Sequence, residues 1–266
     1  VLMMNKPCLY ISLEDGLSIK FVNRIPSWEY VGESLKSISF EPPELFDDKR
    51  FSGWTQMRPV DPHICLGYSQ GYNELVAALV YGDSEEDAKE SAREIVEKAR
   101  ASGFNKVRVK NSKWWKSYWK TVPSVKLPSK DIEFIYYYGM YKFAGLTNPD
   151  GVAATLQGPW VEEYQMPPWS SDYHFNINVQ ECYWPTFAGN RLEHIIPLFD
   201  LIKSWESELR HNAKMFLDID DGLMLPHAVD DRCACMGGFW TGSIDHGSTS
   251  WIAQLMWQYY RYTMDD

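Results

Sequence analysis

Residues 74–103 read ELVAALVYGDSEEDAKESAREIVEKARASG, and the change inside this stretch decides the fold. Glu74 to Tyr81 is a continuous apolar run that suits a buried strand, although a helical turn gives the same pattern over so few residues. The composition shifts at Asp83. Ser84-Glu85-Glu86-Asp87 has the form of a capping box, in which a serine hydroxyl accepts from a backbone N–H of the first turn. Ala88, Ala92, Ile95, Val96 and Ala99 follow at helical spacing, and Gly103 stands where a C-terminal cap belongs. The other face of this helix is charged, as expected of a solvated linker between domains.

Toward the N-terminus the chain reads as β-structure. Leu9 to Leu13 alternates and runs into the turn Glu14-Asp15-Gly16, and Leu17 to Val22 alternates again. Lys36 to Phe40 is a further alternating segment before Pro42-Pro43. Residues 1–82 are therefore expected to be a β-sandwich portion or an open antiparallel sheet. Residues 83–110 form a linker helix region, and from Asn111 the chain turns mainly helical.

Trp115, Tyr118 and Trp119 share one helical face. Ser129 can cap a helix with Ile132, Ile135, Tyr136, Gly139, Met140 and Phe143 on one stripe, ended by the turn Asn148-Pro149-Asp150-Gly151. Asn190 with Glu193 suggests another cap, leading into Leu192, Ile195, Ile196, Phe199, Ile202 and Leu209. Pro197 within that run predicts a bend or a late start. A last helix carries Ile252, Leu255, Met256 and Tyr259, with Ser248 or Thr249 as its cap. Between the helices run connections of about 30 residues, 151–185 and 217–247, a length that is often functional. Short helices joined by long aromatic loops fit an α-toroid whose loops build one face.

Composition excludes several classes. The 266 residues carry a formal charge of −10, which argues against nucleic acid and, more weakly, against anionic membranes as partners. No apolar run approaches the roughly 20 residues of a transmembrane helix. Val1 to Pro7 contains no leader-like apolar segment and reads as a mature end or as the start of a truncated chain. The five cysteines are too sparse for a disulfide scaffold, and Cys233-Ala-Cys235 lacks zinc-site spacing, so no metal is expected there. No Gly-rich phosphate loop is present. Asp218, Asp220 and Asp221 lack the spacing and closing Glu of a calcium loop. Aromatic residues make up 15 % of the chain. Most must serve the core, yet ring faces lining a cleft would also suit the C–H faces of a sugar.

The segment richest in chemistry is Ser171-Asp172-Tyr173-His174-Phe175-Asn176-Ile177-Asn178-Val179-Gln180. Polar and apolar residues alternate from Tyr173, so an extended backbone would set His174, Asn176, Asn178 and Gln180 on one face, flanked by Trp169 and Trp184. Amides hold both donors and acceptors and can fix a water or sugar hydroxyls. A half-buried strand with a solvated polar face reads the same pattern equally well. Asp245-His246, between glycines and near Trp240 and Trp251, is either a sugar-contacting loop or a turn with a surface histidine.

Thr155-Leu156-Gln157-Gly158-Pro159-Trp160, then Met166-Pro167-Pro168-Trp169 running on to Asn178, then Tyr183-Trp184-Pro185, resembles glycoside hydrolase family 95. Trp114-Trp115, Tyr136 to Lys142 and Pro197 to Ile202 add to the likeness, which covers roughly residues 105 to 264. The resemblance implies an inverting exo-α-L-fucosidase or α-L-galactosidase, with a β-sandwich, a linker and an (α/α)6 barrel. Residues 111–266 would be the N-terminal part of that barrel. It further implies that Asn176 and Asn178 position the attacking water with a distant Asp, that His174 contacts the sugar, and that a Glu is the general acid. Trp169, Trp240 and Trp251 would be stacking walls, with Asp245 and His246 as further substrate contacts.

About five helices follow Asn111, fewer than a full barrel needs. The acid Glu and the Asp are accordingly expected beyond residue 266, and the chain is expected to be a fragment. Residues 225–231 and 237–247 depart from the fucosidase pattern and point to another subgroup and another sugar. Three readings stand: a glycosidase of the fucosidase type, another α-toroid carbohydrate enzyme such as a polysaccharide lyase, or a noncatalytic carbohydrate-binding or structural module. The resemblance implies a carbohydrate substrate, no cofactor and a periplasmic or secreted address.

Overall fold

A computed structural model describes residues 1–14, 17, 36–37, 39–157, 168–236 and 243–265. The described chain is β-rich at its N-terminal end and mostly helical after it. It divides into two compact units, Val1–Lys120 and Thr121–Asp266.

The first unit is built on an antiparallel sheet of β1 (Cys8–Ser12), β2 (Glu44–Asp48), β3 (Phe51–Gln56), β4 (His63–Gln70) and β5 (Glu74–Gly82), in the order β1-β5-β4-β3-β2. Of the two forms expected for residues 1–82, the described residues take the open sheet. The apolar run from Glu74 is the strand β5, and it pairs with both β1 and β4. The segment expected to be extended at Lys36–Phe40 is not: Lys36 and Ser37 are helical and Ser39 lies in a turn with positive φ. The chain has no regular structure from Phe40 to Pro43 and joins the sheet only at Glu44, after the two prolines. The strand expected at Leu17–Val22 lies, after Leu17, outside the described residues.

Helix α1 (Glu85–Ser102) follows β5 directly. Ser84 is its N-cap, its hydroxyl accepting from the Asp87 N–H at 3.1 Å, and Gly103 closes it with φ 76°. Both caps are where the sequence placed them. Its alanine face does not stay in solvent but lies on the sheet: Ala88, Ala92, Val96 and Ala99 join Cys8, Phe51, Cys65 and Val76 in one core. The facing side chains on β4 are small, which lets the helix backbone come close. A Cβ on Gly67 would fall 2.2 Å from the Phe51 ring and 3.2 Å from the Ala92 methyl. Helix α2 (Phe104–Thr121) carries Trp115, Tyr118 and Trp119 in mutual ring contact along one face, as their spacing predicts, the two indoles stacked and the Tyr118 ring edge-on to both.

The second unit holds α3 (Lys130–Leu146), β6 (Tyr173–His174), α4 (Asn178–Tyr183), α5 (Pro185–Ala188), α6 (Ile196–Ser204), α7 (Glu206–Leu217), β7 (Ala228–Val229) and α8 (Ser248–Thr263). Ser129 caps α3 as expected, but only the far end of the predicted stripe is buried. Met140 and Phe143 are covered, whereas Ile132 and Ile135 are exposed; the segment before the helix meets Glu133 and Tyr137 instead, the Leu127 N–H donating to Glu133 and the Tyr137 hydroxyl to the Val125 carbonyl. Pro197 gives α6 the late start its position predicts. The expected Asn190 cap is not made: Arg191 precedes the short 3-10 turn Leu192–Ile195, and the Asn190 amide donates instead to the Thr121 carbonyl.

The core of this unit is aromatic. Tyr173, Phe175, Tyr183, Phe187 and Trp205 pack with Leu198, Leu225 and Val229. Trp205 stands between α6 and α7, buried, with its indole N–H donating to the Asp231 carbonyl at 3.0 Å. Among the described residues no helix is long and apolar enough to cross a membrane.

Candidate functional site

The site lies wholly within the second unit, where two short segments meet. The first arrives through a 3-10 turn, Pro168–Ser171, in which Trp169, Ser170 and Ser171 all take left-handed φ of 55°, 57° and 52°. Three successive non-glycine residues in this region carry a strain of order 1 kcal/mol each, which surrounding contacts must hold. The Ser171 hydroxyl lies 2.9 Å from that of Thr155, and the Leu156 N–H donates to the Asp172 carbonyl at 2.9 Å. Tyr173 and His174 then pair antiparallel with Val229 and Ala228. The Phe175 N–H donates to the His227 carbonyl at 2.6 Å.

The extended row expected from Tyr173 onward stops there. Only Tyr173–His174 is extended; residues 175–177 turn and Asn178 opens α4. Alternation competed with a second period in the same residues. Phe175, Val179 and Tyr183 recur every four positions, and the structure buries all three fully while leaving Ile177 at the surface. Burying two large rings and a valine on one helical face outweighs a half-buried strand. Gln180 consequently leaves the polar face. It is buried, and its amide donates to the Phe175 carbonyl at 2.7 Å, tying the turn to the helix. Asn176 is exposed and Asn178 half-buried, so these two amides remain within reach of a ligand in solvent.

His174 is buried at the centre of a four-membered chain of side chains. Its Nδ1 lies 2.8 Å from Asp172 Oδ1. Its Nε2 lies 3.1 Å from His227 Nε2, the rings nearly perpendicular at 89°. His227 Nδ1 in turn lies 3.2 Å from Asp245 Oδ2. Burial works against ionisation at Asp245, but hydrogen bonds from Gly247, Ser248 and His227 outweigh it and hold its carboxyl below the usual range. The other oxygen of Asp245 accepts from the Gly247 and Ser248 N–H groups at 2.8 and 3.3 Å. Asp245 thus caps α8 in place of Ser248 or Thr249. Thr249 accepts from the Leu225 N–H and so anchors the segment leading to His227. The exposed Trp169 ring stands edge-on to His174, centroids 5.5 Å apart.

The structure therefore joins three of the residues singled out from the sequence: Trp169, His174 and Asp245. His246 is exposed on the turn before α8. Trp251 is half-buried in the first turn of α8, and among the described residues no ring contact joins it to the histidines. Trp240 lies outside the described residues. Sequence reasoning gave no role to Asp172 or His227. The signal for His227 was a lone histidine inside the apolar run Leu223 to Val229. That for Asp172 was an acid two residues before a histidine in an alternating segment.

Other groups have plainer roles. His194 is buried against the Phe143 ring, its Nδ1 3.1 Å from the Thr147 hydroxyl. The Cys233 thiol is pushed up to about 12, chiefly by burial, so it is not a ready thiolate ligand. Among the described residues no group of His, Cys, Asp and Glu has the arrangement to hold a metal ion.

A buried imidazole joined to a half-buried one, beside one exposed and one half-buried amide and an open indole face, is a setting for binding and orienting a polar ligand. Residues 105–266 match the glycosyl hydrolase family 95 catalytic domain. That match covers more than half of the chain, and the chain belongs to this family. Alpha-L-fucosidase 2 of Arabidopsis thaliana is 32 % identical over 145 residues, half of this chain and 16 % of the relative. Probable alpha-fucosidase A of Aspergillus niger is 26 % identical over 137 residues, 49 % of this chain and 17 % of the relative. The chain thus spans about a sixth of the length of the curated relatives it matches.

Proposed function

We propose that the protein containing this chain removes a terminal α-linked L-fucose or L-galactose-type sugar from an oligo- or polysaccharide, with inversion. The reading rests on one observation above the rest. Inside a region that belongs to family 95, the Asn-x-Asn element leaves both amides accessible, while the neighbouring histidine is fixed in a buried hydrogen-bonded chain.

Inversion needs an acid on one side of the glycosidic bond and an activated water on the other, with carboxyls about 6.5–9.5 Å apart. An amide is too weak a base to take the water's proton by itself. In this reading Asn176 and Asn178 accept from and donate to the water and aim it, and a carboxylate completes the activation. We assign that carboxylate and the general acid to residues outside these 266. Trp169, beside His174, offers a ring face to the sugar, and Trp240, Trp251, Asp245 and His246 belong to the loops around it. The division into a β portion (1–82), a linker (83–110) and part of an (α/α)6 barrel (111–266) is part of the same proposal. So is a periplasmic or secreted address, which rests on the family resemblance alone.

The test is hydrolysis of aryl α-L-fucoside and α-L-galactoside by the full-length protein, with the first-formed anomer read by NMR. Inverted product from one of them, lost by a factor of roughly 10²–10³ in Asn176→Ala and Asn178→Ala, is the expected result. Retained product, or unchanged turnover in both variants, would overturn the reading.

A further inference from the structure

His174 has no free ring nitrogen. Its Nδ1 faces Asp172 and its Nε2 faces His227, whose own Nδ1 faces Asp245. The proton count of this chain follows from elementary hydrogen-bond chemistry. An ionised carboxylate only accepts, so each Nδ1 that meets one carries a proton. If both rings were then neutral, two bare lone pairs would face each other across 3.1 Å. If both were charged, two N–H bonds would face each other. Neither arrangement attracts. With both carboxylates ionised, one proton between the two Nε2 atoms is the count that makes the contact a hydrogen bond, and it gives the two rings three protons on four nitrogens.

Charge and burial favour the same count. The side chains of Asp172, His174, His227 and Asp245 are 6 %, 11 %, 17 % and 24 % exposed. Asp172 is the buried carboxylate among the four side chains and gains most from a neighbouring cation, and the shared proton supplies one positive charge. The backbone brings the rings together from both sides: Ala228 pairs with His174, the His227 carbonyl accepts from Phe175, and Asp245 is fixed by the first N–H groups of α8.

We propose that His227, held by Asp245, is a positioning residue that sets the orientation and protonation of His174 by sharing one proton with it. His227 is not a spare surface histidine near the site. It fixes the ring and the charge of His174 from the side opposite Asp172, and with them the polarity of the surface beside the Trp169 ring. The functional half of this inference rests on the glycosidase reading; the proton count does not.

The test uses the intact protein with ¹⁵N at its histidine ring nitrogens, and the variants His227→Gln and His227→Phe. In the parent at neutral pH, both Nδ1 atoms should carry protons, with one strongly downfield proton between the Nε2 atoms. In His227→Phe that proton should vanish and His174 should become a neutral ring protonated at Nδ1 only. Two neutral rings in the parent, both bare at Nε2, would overturn the proton count whether or not the protein cleaves any glycoside. On a cleaved aryl glycoside, His227→Phe should lower kcat/KM roughly ten- to hundredfold, the scale of a lost charge-assisted hydrogen bond. His227→Gln, whose amide can still meet His174 Nε2, should recover most of it. Equal kcat/KM in all three proteins would overturn the positioning role. Equal losses in both variants would overturn it too, because a purely structural histidine would not be rescued by the amide.

Discussion

The two units of this chain are built on opposite terms. In the first, the described buried side chains are almost wholly apolar, and small ones meet where the helix crosses the sheet: the alanines of α1 share a core with Cys8 and Cys65, and Ala92 lies over Gly67. Its buried polar residues are Thr55 and Ser69. In the second, large rings fill the core and the buried polar group includes Asp172, His174, Gln180, Arg191, His194 and Asn212. Burying a polar group costs free energy unless its partners are in place. A region that carries many such groups is therefore committed to specific geometry rather than to packing alone. The first unit is a scaffold by composition; the second holds the site because it is the part with polar groups to orient.

Removing one ring from the aromatic core is the severest way to break this comparison. Phe175→Ala should cost about 3–5 kcal/mol. Urea unfolding followed by tryptophan fluorescence should show the transition of the helical unit shifted and that of the sheet unit unmoved. A common shift would mean that the contrast does not divide the molecule energetically. Next in size is Gly67→Ala. Its methyl must displace the Phe51 ring, and a loss of about 1–3 kcal/mol is expected in the sheet unit's transition. No loss there would show that the small-residue face is looser than its contacts imply. Ser84→Ala removes the α1 cap and should cost about 1 kcal/mol in the same transition.

The finest distinction lies between the buried histidines. Burial holds the His194 imidazole below its ordinary value of 6.5, despite the opposing pull of Glu193. The unfolded chain then takes up a proton that the folded chain refuses, so His194 favours the fold above pH 6.5 and costs stability as pH falls below it. In His194→Gln, whose amide can still donate to Thr147, the fall in melting temperature below pH 6.5 should be shallower. An unchanged slope would show that His194 is protonated in the folded protein, as the His174 pair is proposed to be.

How much was legible beforehand depended on the range of the interactions. The α1 cap, the Ser129 cap, the late start at Pro197 and the strands β1 and β5 each follow from a few neighbouring residues, and each stands where the sequence put it. The cap at Asn190 failed because its backbone turns left-handed, with φ 54°, where a capping residue is extended. The polar row from His174 to Gln180 failed because two periods overlap in it, and only the packing of Phe175, Val179 and Tyr183 could choose between them.

The sequence by itself determined the β-to-α division, the family, and the identity of His174, Asn176 and Asn178 as residues to watch. These reside in local periodicity and in a motif read along the chain. Tertiary structure alone decided that His174 meets His227, 53 residues further on, and that Asp245 serves both a helix end and an imidazole. No local rule encodes such a meeting. It exists because the Ala228–Val229 strand must pair with Tyr173–His174 to close an aromatic core, and the two rings are carried together by that closure.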